Sequence, residues 1–276
     1  MPVISTNNAA NSALNYLNQN SSKETNELAK LASGSRIVQA SDDAAGLAIG
    51  TQLQANVTVY TQDQTNVQQG TAILQSADGA LAQISNVLQR MMSLATEAAS
   101  GQVTNAQRSQ DINTEYTQLK TEITSIVTST TYAGQTLLTG SFLSNVKFLV
   151  GTLSSNFLTV SVTTVSVGGL VGSSGSTVST AATALAAINV INSAINTVTQ
   201  DRAKIGAYES QFNFSGQDIA TNIQNISAAS SVVLDADVAQ VKSTLSSVDV
   251  KTQASVAALT QASQLPQELL KLIQAA

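Results

Sequence analysis

With 276 residues the chain has room for one large domain or two small ones. Apolar residues make up 43% but aromatics only 4%, with no Trp, so any core is built from Ala, Val, Leu and Ile, which suits slender helical packing. A net charge of −5 argues against nucleic acid or anionic membrane as partners, and the absence of His and Cys removes imidazole bases, thiol nucleophiles, disulfides and the commonest zinc ligands.

The first 42 residues carry an apolar line at heptad spacing that polar residues interrupt: Leu14, Leu17, Ser21, Glu24, Leu28, Leu31. Such a seam buries too little to offset the entropy of ordering, so this end is expected to be disordered in the monomer and to fold on meeting partners. The opening MPVISTNNAANSALNYLNQN has no basic start followed by an apolar block. A cleaved secretory signal is therefore not expected, and export would take another route. Lys23 to Lys30 reads as a solvated helix face with local ion pairs.

In SRIVQASDDAAGLAIG, residues 35–50, Asp42 and Asp43 stand before an Ala-Ala-Gly-Leu-Ala-Ile run. Paired carboxylates can serve acid–base or metal chemistry, but no His and no further acid cluster supports that here. Ser41 is read instead as the cap of a helix beginning near residue 42, with both aspartates in its first turn, where the positive helix end favours them. The stretch is a joint between the weakly specified end and a preformed body.

From Leu74, spacings of three and four give Leu74, Ala77, Leu81, Ile84, Leu88, Met91, Ala95 and Ala98, all apolar. A second run is Ile112, Tyr116, Leu119, Ile123, Ile126. Every seventh residue from Ile191 reads Ile191, Val198, Ile205, Phe212, Ile219, Ile226, Val233, a strict heptad line that predicts a seam facing other helices. Residues 44–100 and 181–233 predict helices of about 85 and 80 Å at 1.5 Å per residue. They are expected to lie antiparallel in a long rod, with a helix over 105–130 alongside. Residues 141–178 are rich in Gly, Ser, Thr and Val, and Phe157 to Val162 alternates as a strand does. One or two hairpins are expected there, with turns at Gly168-Gly169 and Ser173–Gly175.

The last 40 residues carry a second interrupted line, Val238, Val241, Leu245, Val248, Thr252, Ser255, Leu259, Ala262, and are expected to pair with the first end. No apolar run reaches the roughly 18 residues of a membrane span. Only 11% of residues are charged, against roughly 25% in ordinary soluble domains, so the helix faces can meet neighbours without desolvating ions. The predicted class is mostly α: a long antiparallel helical bundle with a small β-hairpin region between its N- and C-terminal halves.

Several stretches in order along the chain resemble the bacterial flagellins. LASGSRIVQASDDAAGLAIG (31–50), SADGALAQISNVLQRMMSLATEAASG (76–101) and TYAGQTLLTG (131–140) resemble the family's N-terminal region. IGAYESQFNF (205–214), DADVA (235–239) and ALTQASQLPQELLKLI (258–273) resemble its C-terminal helix. The resemblance implies a structural filament subunit, without enzymatic activity or cofactor, exported unfolded by the flagellar type III apparatus to an extracellular flagellum. It implies a helical homopolymer in which 1–42 and 237–276 pair along an inner tube, while 43–236 form the outer tube with a short variable hairpin region at 141–180. Further partners would be an export chaperone on the C-terminal helix, a cap protein and hook-junction proteins.

Self-assembly contacts are expected from Leu14, Leu17, Leu28 and Leu31, from Arg36, Asp42 and Asp43 at the joint, and from Val241, Leu245, Val248, Leu259, Leu269 and Leu270. The resemblance also suggests an epitope for the Toll-like flagellin receptor at Leu88, Gln89, Arg90 and Leu94, with Glu115 on the next helix. Within that segment Leu88, Met91 and Ala95 are expected to face inward, and Gln89, Arg90 and Leu94 other faces. The nearest alternative is a hook–filament junction protein with similar ends. A peptidase-bearing relative is excluded by the missing His, and a soluble coiled-coil adaptor leaves the low charge unexplained.

Overall fold

The computed structural model describes residues 7–139, 142–162, 167–171 and 177–275, less the side chains of Val167, Val171, Leu265, Leu269 and 272–275. In chain order it runs α1 (Asn8–Ser33), α2 (Ala44–Ala99), α3 (Asn105–Gln107), a π-helical segment (Arg108–Ile112), α4 (Asn113–Ser129), β1 (Thr131–Tyr132) and β2 (Gln135–Thr136). Then follow a 3-10 turn (Phe142–Ser144), β3 (Val146–Leu149), β4 (Phe157–Val160), α5 (Val167–Val171), α6 (Ala181–Leu234) and α7 (Val238–Ala275). The chain divides into two compact units: Met1–Ala55 with Asn225–Ala276, and Asn56–Gln224.

The second unit holds the core. No proline interrupts α2 or α6, which run 56 and 54 residues. All eight positions of the α2 line, Leu74 to Ala98, are buried, as are Ile191, Val198, Ile205, Phe212 and Ile219 of the α6 line. The two helices are antiparallel, since Asp78 meets Arg202, Gly70 meets Phe212 and Gly216 meets Val67. A Cβ on Gly70 would lie 2.6 Å from the Phe212 ring, so the glycine is what lets that ring sit against α2.

The helix expected over 105–130 forms with a π-helical segment inside it. Thr104 and Gln107 cap each other reciprocally at its start. The segment buries Arg108, whose guanidinium donates to the carbonyls of Ala98 (2.5 Å) and Ser100 (2.7 Å) at the end of α2 and to Asn105 Oδ1 (2.8 Å). Those carbonyls have no intrahelical donor, and a cation suits the negative helix end. Tyr116, Ile123 and Val127 then face the core.

The hairpin expected near 157 is β3 paired with β4, Val146 opposite Val160 and Leu149 opposite Phe157. It is tied to the helices by Asn66 Nδ2 donating to Leu149 O (3.3 Å) and by an edge-to-face contact of Phe148 on Phe212, centroids 5.2 Å apart. A second, unpredicted hairpin pairs Thr131 with Thr136 through Ala133 (φ 50°) and Gly134 (φ 80°). Two successive positive φ values make this a type I′ turn. Gly168-Gly169, expected as a turn, lies inside the short helix α5. Ser173–Gly175 lies outside the described residues.

By length and composition α6 could cross a membrane, with an 18-residue window of mean hydropathy 1.3. Its apolar character has another use: Ala184, Ala187, Ile191, Ala194 and Val198 are buried in the core.

Candidate assembly surface: the terminal helix pair and its joint

The first unit carries the surface expected to make contacts between copies. α1 and α7 lie side by side and antiparallel: Asn7 Nδ2 donates to Ala262 O (2.6 Å), Asn20 Nδ2 to Ser255 Oγ (3.0 Å) and Thr252 Oγ1 to Glu24 Oε2 (3.0 Å). Of the polar groups that interrupt the apolar lines, Glu24, Thr252 and Ser255 bond across the pair.

Asn7 was not legible as a functional residue. Its Oδ1 accepts from Ala10 N (3.1 Å) and caps α1. Its amide fills a vacancy made elsewhere. Pro266 lies inside α7 and has no N–H to give to the carbonyl four residues back, which is that of Ala262. Asn7 supplies the missing donor.

The pair buries little. No residue of α1 is fully buried, and on α7 only Val241, Val248 and Ala262 are, among the described side chains. Leu17, Leu31, Leu245 and Leu259 are half-buried between the helices. Leu14 is 44% exposed, Leu28 56% and Leu270 46%, and the Leu269 side chain lies outside the described residues. Tyr16, Val238, Val250 and Val256, which the heptad lines left out or gave no role, are exposed as well. A seam line selects residues meant to face the partner helix, so it misses Tyr16, Val250 and Val256, while Val238, the first position of its line, is exposed nonetheless.

The joint is better fixed. Gly34 (φ 69°) ends α1 in the left-handed conformation and donates to Lys30 O (2.9 Å). The connection then pairs with the end of α6: Arg36 N donates to Leu234 O (2.7 Å) and Ala236 N to Gly34 O (2.9 Å), around a bridge between Ser35 and Asp235. Arg36 acts here through its main chain, and its side chain is exposed. Leu234 itself packs on Gly50, where a Cβ would touch the leucine side chain.

The two aspartates do not share a role, and Ser41 is not the cap. The helix starts at Ala44, and Asp43 caps it: Oδ1 accepts from Gly46 N (2.8 Å). Asp42 turns back and accepts from Val38 N and Gln39 N (3.0 Å each). Those two N–H groups hold its carboxyl below the usual aspartate range. Asp237 repeats the Asp43 device at the start of α7, accepting from Ala239 N and Gln240 N. No group of three or more potential metal ligands occurs among the described residues.

The 88–115 segment is in the other unit. Gln89 and Arg90 are exposed, and Arg90 forms an ion pair with Glu115 (2.7 Å). Leu88 is buried, as expected for an inward heptad position. Leu94 is also buried, 2% exposed, which corrects the expectation that it faces elsewhere. The α2 stripe is wide enough there to enclose both Leu94 and Ala95.

Residues 4–142 match the bacterial flagellin N-terminal helical region and residues 188–273 the bacterial flagellin C-terminal helical region. The chain is 30% identical to the flagellar filament 30.7 kDa core protein of Treponema maltophilum, over 98% of this chain and 99% of that one. It is also 30% identical to the flagellin of Bacillus subtilis, again over 98% and 99%. In fold it is similar to a solved Vibrio parahaemolyticus structure provisionally described as a flagellar hook-associated protein, with TM-score 0.58 and 16% identity, covering 70% of this chain and 99% of that one. Both ends of the sequence, the long helices between them and full-length relatives agree that the chain belongs to the bacterial flagellin family.

Proposed function

We propose that the protein is the structural subunit of a bacterial flagellar filament, polymerising through its terminal helices. One observation carries this reading: α1, 26 residues long, has no fully buried residue and leaves Leu14 and Leu28 about half exposed. Isolated helices gain little in water, and a two-helix pair this thin offsets little of the entropy of ordering. Further copies packed on those side chains supply the missing burial. With 11% charged residues, such contacts desolvate few ions.

In this reading residues 1–42 and 237–276 form the inner tube and 43–236 the outer one. The subunit is secreted through the flagellar type III apparatus, with an export chaperone on the C-terminal helix and with cap and hook-junction proteins as neighbours. Family membership supports these partners. It also favours the filament over the junction, since the full-length relatives at 30% identity are a flagellin and a filament core protein. An innate receptor of the Toll-like class would meet Gln89, Arg90 and Glu115, with the buried Leu88 and Leu94 holding α2 in place beneath them.

The test is electron microscopy of the full chain after seeding or salting-out, beside the Leu14→Asp/Leu28→Asp chain. Both residues are exposed, so the variant is expected to keep the wild-type circular dichroism and fail to polymerise. Filaments from the variant at the wild-type concentration would remove these side chains from assembly, and a wild-type chain that never polymerises would remove the filament reading.

A further inference from the structure

Within the Asn56–Gln224 unit, α2 and α6 leave an open groove of about 430 Å³. Its walls are uncharged. Gln64, Val67 and Gln68 line it from α2, and Phe212, Gly216 and Gln217 from α6. Its floor is fixed, because Phe212 is fully buried, held by Gly70 on one side and by the edge-to-face Phe148 on the other. The groove stays open at Gly216, where a Cβ would already stand 3.3 Å from Val67.

Two residues from the floor, Phe214 is 70% exposed, the most exposed aromatic among the described residues. Successive residues on a helix are about 100° apart, so Phe214 leaves α6 on a side well removed from Phe212 and does not fill its own groove. A phenylalanine buries about 150–250 Å² of surface when enclosed, so leaving it in water is costly. One chain thus carries, at one level of one helix, an uncovered aromatic knob and an uncharged hole on different sides. A knob and a hole on different faces make a heterologous contact, which does not close on itself as a two-fold dimer does and propagates from copy to copy.

We infer that Phe214 of one subunit seats in the α2–α6 groove of a second copy over Phe212, forming a lateral contact of the assembled polymer. The occupant is neutral, as a groove walled by uncharged residues accepts, and a second copy is the one partner that presents this knob beside every hole. The inference rests on the filament reading and adds a contact outside the terminal helices.

The chain has no cysteine, so single cysteines report this contact cleanly. Phe214→Cys and Gln68→Cys chains are mixed, polymerised and oxidised. A crosslinked dimer is expected in the mixed filaments, and none in filaments of either variant alone or in the same mixture kept unpolymerised. In parallel, Phe214→Ala and Ala72→Leu, the second filling the groove from an exposed position, are each expected to raise the critical concentration for polymerisation roughly tenfold. The double variant is expected to be no worse than the single ones, because both remove one contact. Mixed filaments without the crosslink, or fully additive effects of the two substitutions, overturn the inference and leave the filament reading standing. A wild-type chain that forms no filaments overturns both.

Discussion

Asp63 lies on α2 with 1% of its surface exposed, and its Oδ2 has no hydrogen-bond partner among the described residues. Burial disfavours the carboxylate and raises its pKa. The folded state then binds this proton more tightly than the unfolded chain. Stability is lost as pH rises from the unfolded value through the folded one, and the cost is complete above it. Asp42 has the opposite sign. Its two main-chain donors favour the charged form, so its contribution is present above the unfolded value and fades as pH falls through the folded one. Asp63→Asn is therefore expected to stabilise the protein at neutral pH by about 1 kcal/mol, with no gain near about pH 3, where both states are protonated. Urea unfolding at the two pH values checks this. An equal gain at both would assign the effect to packing rather than charge. The Asp42-Asp43 pair was legible as a helix start, but the division of labour within it was not. Which of two adjacent carboxylates turns forward to Gly46 N and which back to Gln39 N depends on the path of the connection.

At the scale of elements, α2 and α6 could be placed to within a residue or two, because long proline-free stretches carrying apolar lines such as Leu74–Ala98 and Ile191–Val233 at helical spacing admit no other regular structure. The hairpin at 131–136 was missed because its turn uses Ala133 at φ 50°, where the usual sequence signal is Asn-Gly or Asp-Gly. The contact of Gly50 with Leu234 was also out of reach, since a glycine within a helical pattern reads only as a weak point. Gly50→Val separates the two meanings. Helix propensity alone predicts a small gain, whereas the Leu234 side chain, already in contact with the bare Cα, predicts a loss of about 1–3 kcal/mol. A lower urea midpoint shows that the contact dominates, and a higher one that Leu234 moves aside at little cost.

At the scale of the whole molecule, burial is unevenly shared. The Asn56–Gln224 unit encloses continuous lines of residues such as Leu81, Ile84, Ile191 and Val198, while α1 encloses none. Local opening is easiest where few apolar contacts must be broken. In the unpolymerised subunit, amides of α1 and α7 are therefore expected to exchange with solvent near coil rates, and those around Leu81 and Ile191 far more slowly. Polymerisation is expected to protect both sets. Hydrogen exchange followed by mass spectrometry checks this, and equal protection of α1 and the core in the free subunit would contradict the expected disorder of the ends.

The sequence by itself determined the helical class, the two long helices, the interrupted character of the ends and the family, because heptad periodicity and order of motifs are properties of the chain read alone. Only the tertiary structure decided which residues bond across the ends. Asn7 fills the carbonyl that Pro266 leaves open, Leu94 turns inward, Phe214 turns outward, and Gly216 leaves a groove beside it. Each is a contact, or a lack of one, between residues remote in the chain, set by how neighbouring helices cross rather than by local propensity.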